Sequence, residues 1–355
     1  MRLFRREQYL KKIRPFYDDD LIKVITGIRR CGKSCLMATI VEELKERGVP
    51  EKDIVYLDLD KRGNRSIKTP DQLEAAIESR LVDDDFKYLF IDEVQNVRGY
   101  EEVVNAFNTD GGFSIFITGS NSYLLSGELM TKLTGRYVEF EMFTLSFSEF
   151  LAMKKFLGVE RKDDRAEFEE YLRYGGFPRS LEYDDVEAKA HYVEDVVKQI
   201  IKKDIRSRNK IRNIEAFERV MTYVINNYGA PTSLTNLVDH LRNVEKIAVE
   251  RRTVSAYIQM LVDAKILYRC QRFDLKSRKS LRGEEKYYLA DPGTLLCPER
   301  RCTAELRPLS GERALCLPEV PGAQALSRAN RQAGMRLHRQ EARPLRLHTG
   351  IHDDF

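Results

Sequence analysis

Residues 27–34 read Gly-Ile-Arg-Arg-Cys-Gly-Lys-Ser, a complete G-x-x-x-x-G-K-[ST] loop. No other feature restricts the fold so tightly, because such a loop works only between a buried strand and the first turn of a helix. Both neighbours are in the sequence. Apolar Leu21, Ile22, Val24 and Ile25 lead in, and a helix-compatible stretch runs from Lys33 through Val41 and Leu44 to Arg47, closed by Gly48 and Pro50. Gly27 and Gly32 let the backbone turn its N–H groups onto phosphate oxygens, and the helix N-terminus adds partial positive charge. Lys33 has the reach for β- and γ-phosphates, and the Ser34 hydroxyl can ligate Mg²⁺. The nucleotide-cradling set is therefore Gly27, Ile28, Arg29, Arg30, Cys31, Gly32, Lys33, Ser34 and Cys35.

With 355 residues the chain has room for two or three domains. A 33% charged, 42% hydrophobic composition with net charge +4 reads as soluble and globular, and is too mildly basic to argue for nucleic acid. No apolar run approaches the roughly 18 to 20 residues of a membrane span. The basic N-terminus lacks the apolar centre of a signal peptide. The six cysteines form no C-x-x-C pair and no metal-ligand spacing with histidine. Cys31 and Cys35 flank the loop lysine, where a disulfide would distort the turn, so a reducing cytoplasm is expected.

Strand-like runs recur at Asp53–Asp58, Lys87–Val94 and Phe113–Ser120, separated by helix-length segments at Asp71–Val82 and Glu101–Phe107. This alternation predicts an α/β core, residues 1–144, built on a parallel sheet covered on both faces. Residues 145–210 read as a helical lid, with helices at Ser148–Leu157, Glu167–Arg173 and Ala188–Asp204 and a break at the Gly-Gly-Phe-Pro turn, 175–178. Residues 211–293 read as a winged helix-turn-helix. Its helices are expected at Ala216–Tyr228, Leu234–Leu241 and Arg252–Ala264, and its strands at Ile266–Phe273 and Lys286–Ala290. If this unit meets DNA, Arg251, Arg252 and Ser255 lie on or beside the recognition helix, and Lys276, Arg278, Lys279 and Arg282 lie on the wing. A protein partner fits the same layout equally well.

A second motif matches the first. Tyr88, Leu89, Phe90 and Ile91 end in Asp92-Glu93. An acid at a strand end beside the loop can hold the Mg²⁺ shell, the role expected of Asp92. Glu93 then polarises the attacking water as general base. On the next strand, Ser120 and Asn121 are candidates to sense the γ-phosphate, with helix capping the bland alternative for Ser120. Arg136, before the strand-like Tyr137–Phe143, is a candidate to neutralise the transferring phosphoryl group, in cis or across a subunit interface, with a surface salt bridge as its alternative. Arg29 and Arg30 are solvated or phosphate-facing.

The blocks GIRRCGKS, LFIDE, FITGSNSYLLS, LTGRYVEFEMFTLSFSEFL, YLRYGGFP and KQIIKKDIRSR, in that order, resemble a large prokaryotic family of AAA+-type ATPases. Its members carry a helical lid, a winged helix and a C-terminal restriction-endonuclease-like domain. The resemblance runs from residue 1 to about Pro292 and implies ATP and Mg²⁺ as ligands. It names no physiological substrate.

After Gly293 the chemistry of the sequence changes. Residues 294–355 hold ten arginines but none of the 23 lysines and none of the 17 tyrosines. A disordered basic tail is one reading. The sharper one is an out-of-frame translation beginning near Gly293. Met335–Asp354 can be encoded so that reading one nucleotide later gives CDFIAKKHDRYAYIQVSMT, which resembles the family's nuclease-like domain. Genomic sequence across codons 285 to 300 tests this, and codons incompatible with that string would sink it. Three functions then compete: Mg²⁺-dependent ATP hydrolysis, an ATP-switched DNA- or protein-binding module with little turnover, and a small-molecule kinase. Asp92-Glu93 argues against the kinase, which must avoid activating water.

Overall fold

Five strands, Ile22–Gly27 (β1), Ile54–Asp58 (β2), Lys87–Asp92 (β3), Phe113–Thr118 (β4) and Tyr137–Met142 (β5), form one parallel sheet in the order β2-β3-β4-β1-β5. Parallel strands need both faces covered, and alternate residues here serve different cores. Ile25, Phe90 and Phe116 pack with Leu36, Ile40 and Leu44 of the helix Lys33–Glu46 (α2, after a short α1 at Glu7–Ile13). Val24, Leu89, Ile91, Ile115 and Ile117 pack on the other face, against Pro70–Glu78 (α3) and Tyr100–Asp110 (α4). The α/β core is as expected, with helix α3 ending earlier than Val82. Because β4 lies between β1 and β3, the loop after β1 and the acid at the end of β3 are separated by the width of one strand, whose last residue is Thr118.

The computed structural model describes residues 2–119, 133, 135–207, 209–271, 273–274, 279–280 and 285–296. Ser120, Asn121, Lys276, Arg278, Arg282 and the tail from 297 onward, each with an expectation attached, lie outside them, and of Lys279 only the backbone is described.

Beyond the sheet come Phe147–Leu157 (α5), Asp164–Tyr174 (α6) and Val186–Gln199 (α7), started by the side-chain caps of Ser146, Asp163 and Asp185. The single helix expected over Ala188–Asp204 is in fact two kinds of helix, since α7 widens into a π-helix at Ile200–Arg206. Three further helices follow at Ile214–Asn226 (α8), Leu234–Asn243 (α9) and Arg251–Asp263 (α10). The strands Pro231–Thr232 (β6), Leu267–Cys270 (β7) and Glu285–Leu289 (β10) make an antiparallel sheet in the order β6-β10-β7. A two-strand ladder, Phe273–Asp274 (β8) with Lys279–Ser280 (β9), lies within the β7–β10 connection. One apolar cluster joins these parts: Ile28 and Cys31 of the loop share it with Phe177, Val193, Ile200, Phe217, Val254 and Leu289. No helix among the described residues is long and apolar enough to cross a membrane.

Candidate functional site

The loop is held where β1 delivers it. Gly27 has φ 143°, and a Cβ there would sit 2.1 Å from the Met142 carbonyl oxygen of the neighbouring strand. Any side chain would force β1 and β5 apart. Arg30, with φ 68°, turns the chain, and Gly32 opens α2. The buried Lys33 ammonium donates to the carbonyls of Gly27 (2.9 Å) and Ile28 (3.2 Å), so it lies inside the curl of its own loop. Cys31 is buried, Ser34 and Cys35 are exposed at the first turn of α2, and Cys31, Cys35 and Cys270 are free thiols.

The loop and the acidic strand end meet directly. Asp92, buried at the C-terminal end of β3, lies under the influence of the Ser34 hydroxyl in the first turn of α2. It accepts hydrogen bonds from the Thr118 hydroxyl, and from Tyr56 at 3.3 Å. Burial pushes the Asp92 carboxyl above its ordinary value, the Thr118 and Ser34 hydroxyls pull it back, and Glu93 and Asp58 push it up again. Glu93 follows with a left-handed backbone (φ 57°, ψ 46°), which only tertiary contacts sustain in a glutamate. Its N–H donates to Thr118 Oγ1 at 3.0 Å, and its carboxylate accepts from Gln95. Thr118 thus fixes both acids through one hydroxyl. Thr118 is not among the residues expected at this strand end, Ser120 and Asn121, although a hydroxyl closing the apolar run Phe-Ser-Ile-Phe-Ile-Thr is a visible signal.

Arg136 requires a correction. It precedes β5 at the N-terminal end of the sheet, where its carbonyl accepts from the Ile22 N–H at 2.9 Å. That end is about 17 Å of strand from Gly27. Its guanidinium is exposed and bonds Asn105 (2.9 Å) and Thr109 (3.0 Å) of α4. A role in cis is excluded by this placement, because a parallel sheet carries its loops for substrate at the opposite end.

Another arginine occupies the region. Arg29 makes a bidentate pair with Asp204 of the π-helix, Nε to Oδ2 at 2.8 Å and Nη2 to Oδ1 at 3.0 Å. The Asp204 bonds raise the Arg29 pKa, with smaller contributions from Glu93 and Asp60, so Arg29 lies in the field of the Asp92-Glu93 end of the sheet. Two more attachments brace the loop. Buried Arg6 donates to Cys31 O (3.1 Å), Phe143 O (2.8 Å) and Thr144 O (3.1 Å) and pairs with both carboxylate oxygens of Glu149. Pro178, of the Gly-Gly-Phe-Pro turn, lies 3.9 Å from where a Gly32 Cβ would be. That turn is itself plugged by Asp291, which accepts from the N–H groups of Gly176 (2.8 Å) and Gly293 (2.7 Å). A Cβ on Gly175, at φ +78°, would collide with Asp291 Oδ1 at 1.8 Å. Burial raises the Asp291 carboxyl to about 6. Arg6 and Asp291 belong to no block singled out in the sequence, and Asp204, although within the KQIIKKDIRSR block, carries no local signal of its pairing with Arg29.

Comparison with known proteins agrees with this geometry. The model of the AAA domain family matches residues 19–151, and a domain of unknown function matches 165–300. An uncharacterised protein of Haemophilus influenzae is 32% identical over 292 residues, covering 82% of this chain and 72% of its own length. Another, from Methanocaldococcus jannaschii, is 30% identical over 264 residues, 72% of this chain and 58% of that protein. Among solved structures, a Walker-type ATPase of Pyrococcus abyssi shares the fold at TM-score 0.56 and 16% identity, over 83% of this chain and 96% of that one. The chain belongs to the AAA+-type ATPase family, with a nucleotide-binding ATPase core.

Proposed function

We propose that this protein binds ATP with Mg²⁺ and hydrolyses it, using the cycle to act on a nucleic-acid or protein partner. The observation that carries this is the placement of Ser34, in the first turn of α2, close enough to the buried Asp92 carboxylate to draw its pKa down, which brings the loop and the acidic strand end into one site. Their oxygen donors suit Mg²⁺, which prefers carboxylate, hydroxyl, phosphate and water oxygens. When bound, the ion supplies charge neutralisation across the β- and γ-phosphates. In this reading the N–H groups of residues 27–34 and the Lys33 ammonium hold the phosphates. Glu93 accepts a proton from the attacking water, and Thr118 keeps Glu93 and Asp92 in register.

Phosphate release by wild type, Lys33→Ala and Glu93→Gln tests the reading. Lys33→Ala should lose nucleotide binding and turnover. Glu93→Gln should bind ATP while turnover falls about 10²- to 10⁴-fold. Equal rates for Glu93→Gln and wild type would remove Glu93 from the chemistry, and EDTA-insensitive turnover would remove Mg²⁺.

A second reading, an ATP-switched binding module with little turnover, is favoured by α10. Arg251 and Arg252 are exposed in its first turn, where the helix dipole disfavours cations and welcomes phosphate. Helices α8 to α10 with the sheet β6-β10-β7 support a winged-helix assignment for 211–293, with Lys276 and Arg278 between β8 and β9 in the sequence and Lys279 opening β9. Phosphate release with and without duplex DNA separates the two readings, since stimulated turnover belongs only to the first.

A further inference from the structure

We propose that Arg29 reads the terminal phosphate of the nucleotide, and that Asp204 of the π-helix is the carboxylate it must leave to do so. The inference rests on the ATP-binding reading and adds to it a route from the site to the lid.

Arg29 sits in the first half of the loop, two residues from Gly27, and its guanidinium is held by Asp204 while also feeling the charges of Glu93 and Asp60. Its side chain keeps 16% of its surface exposed, whereas Asp204 keeps 1%. The arginine is therefore the member of the pair that can turn towards a ligand. A guanidinium meets a carboxylate and a phosphate with the same planar, bidentate geometry, so the two anions compete for one face. A triphosphate offers that third phosphate; a diphosphate does not.

The cost of exchange falls on Asp204. Once Arg29 turns away, a buried carboxylate loses a charge-assisted partner, which the low-dielectric interior tolerates poorly. The segment holding it is a π-helix, a geometry of higher energy than the α-helix it continues and frequent at functional sites. Ile200, Ile201 and Ile205 on this segment share the apolar cluster with Phe217 and Val220 of α8. Movement of Asp204 is thereby passed to the helices leading into residues 211–293. Arg136, at the far end of the sheet, leaves this role open to Arg29.

Binding of ADP and of a non-hydrolysable ATP analogue is measured on wild type, Arg29→Ala, Arg29→Lys and Asp204→Asn, together with amide exchange over residues 198–207 of wild type. Asp204→Asn removes the competing charge, so the preference for the triphosphate analogue over ADP should rise about tenfold or more, the worth of one hydrogen bond to a charged group. Arg29→Ala should erase that preference, and Arg29→Lys should restore only part of it. In wild type the analogue, unlike ADP, should speed exchange across 198–207. A merely structural pair would lower thermal stability in these variants while leaving the ratio of the two affinities unchanged; that result overturns the proposal. Equal exchange with ADP and the analogue overturns it on the unmutated protein, where folding is not in question. Failure of wild type to bind either nucleotide would instead bring down the ATP-binding reading, and this inference with it.

Discussion

Thr118 shows how much one hydroxyl can organise. It donates to Asp92 and accepts from the Glu93 N–H, so two acids of different expected roles hang on a single oxygen at the end of β4. Thr118→Val keeps the shape and removes both bonds. Turnover should fall about 10- to 100-fold, the range set by a lost hydrogen bond to a charged group, with ATP affinity nearly unchanged. Steady-state kinetics beside equilibrium nucleotide binding checks this; unchanged kcat would make Thr118 a bystander. The residues legible in the sequence were those whose role follows from order along the chain. Gly27, Lys33 and Ser34 must be consecutive in a loop, and Asp92 must close an apolar strand. Thr118, Arg6 and Asp204 act through partners 25 to 175 residues away, and no local spacing records such pairings.

An element is legible in the sequence where a period and a cap coincide, as at α5, where Ser146 and Glu149 form a capping box ahead of an apolar run. The π-helix escaped, because Ala188–Asp204 has an unbroken helical pattern and the widening depends on tertiary contact. Glu149 is also the bidentate partner of Arg6. Glu149→Ala therefore removes a cap and leaves a buried guanidinium unpaired, at a cost of about 3–5 kcal/mol in denaturant unfolding. A loss below 1 kcal/mol would mean that the three carbonyls around Arg6 suffice. Asp291 makes a pH-dependent prediction. Its folded pKa, about 6, lies above its ordinary value of 3.8, so its contribution to stability is full below about pH 4 and is lost as pH rises through 6. The stability of wild type relative to Asp291→Asn should accordingly decline between pH 4 and pH 7. A difference independent of pH would show that the carboxyl is not buried as described.

At the scale of the molecule, one apolar cluster runs from the phosphate loop through α7 and the π-helix to α8, α10 and β10. Shared packing makes a single cooperative transition the expectation. Mg²⁺-ATP at a hundredfold excess over Kd should add about 2.7 kcal/mol to the unfolding free energy, read as one shifted thermal transition and absent in Lys33→Ala. Two transitions, only one of them shifted by nucleotide, would show that the parts unfold separately. The plug at Asp291 also bears on how the protein is made. The turn that flanks the phosphate loop is held by a carboxylate lying 149 residues beyond the last strand of the parallel sheet. At about 5–20 residues per second, a ribosome needs on the order of ten seconds to deliver it. Through that interval the nascent sheet can assemble with its phosphate loop unbraced on one side, so the finished pocket waits for the segment that carries Asp291.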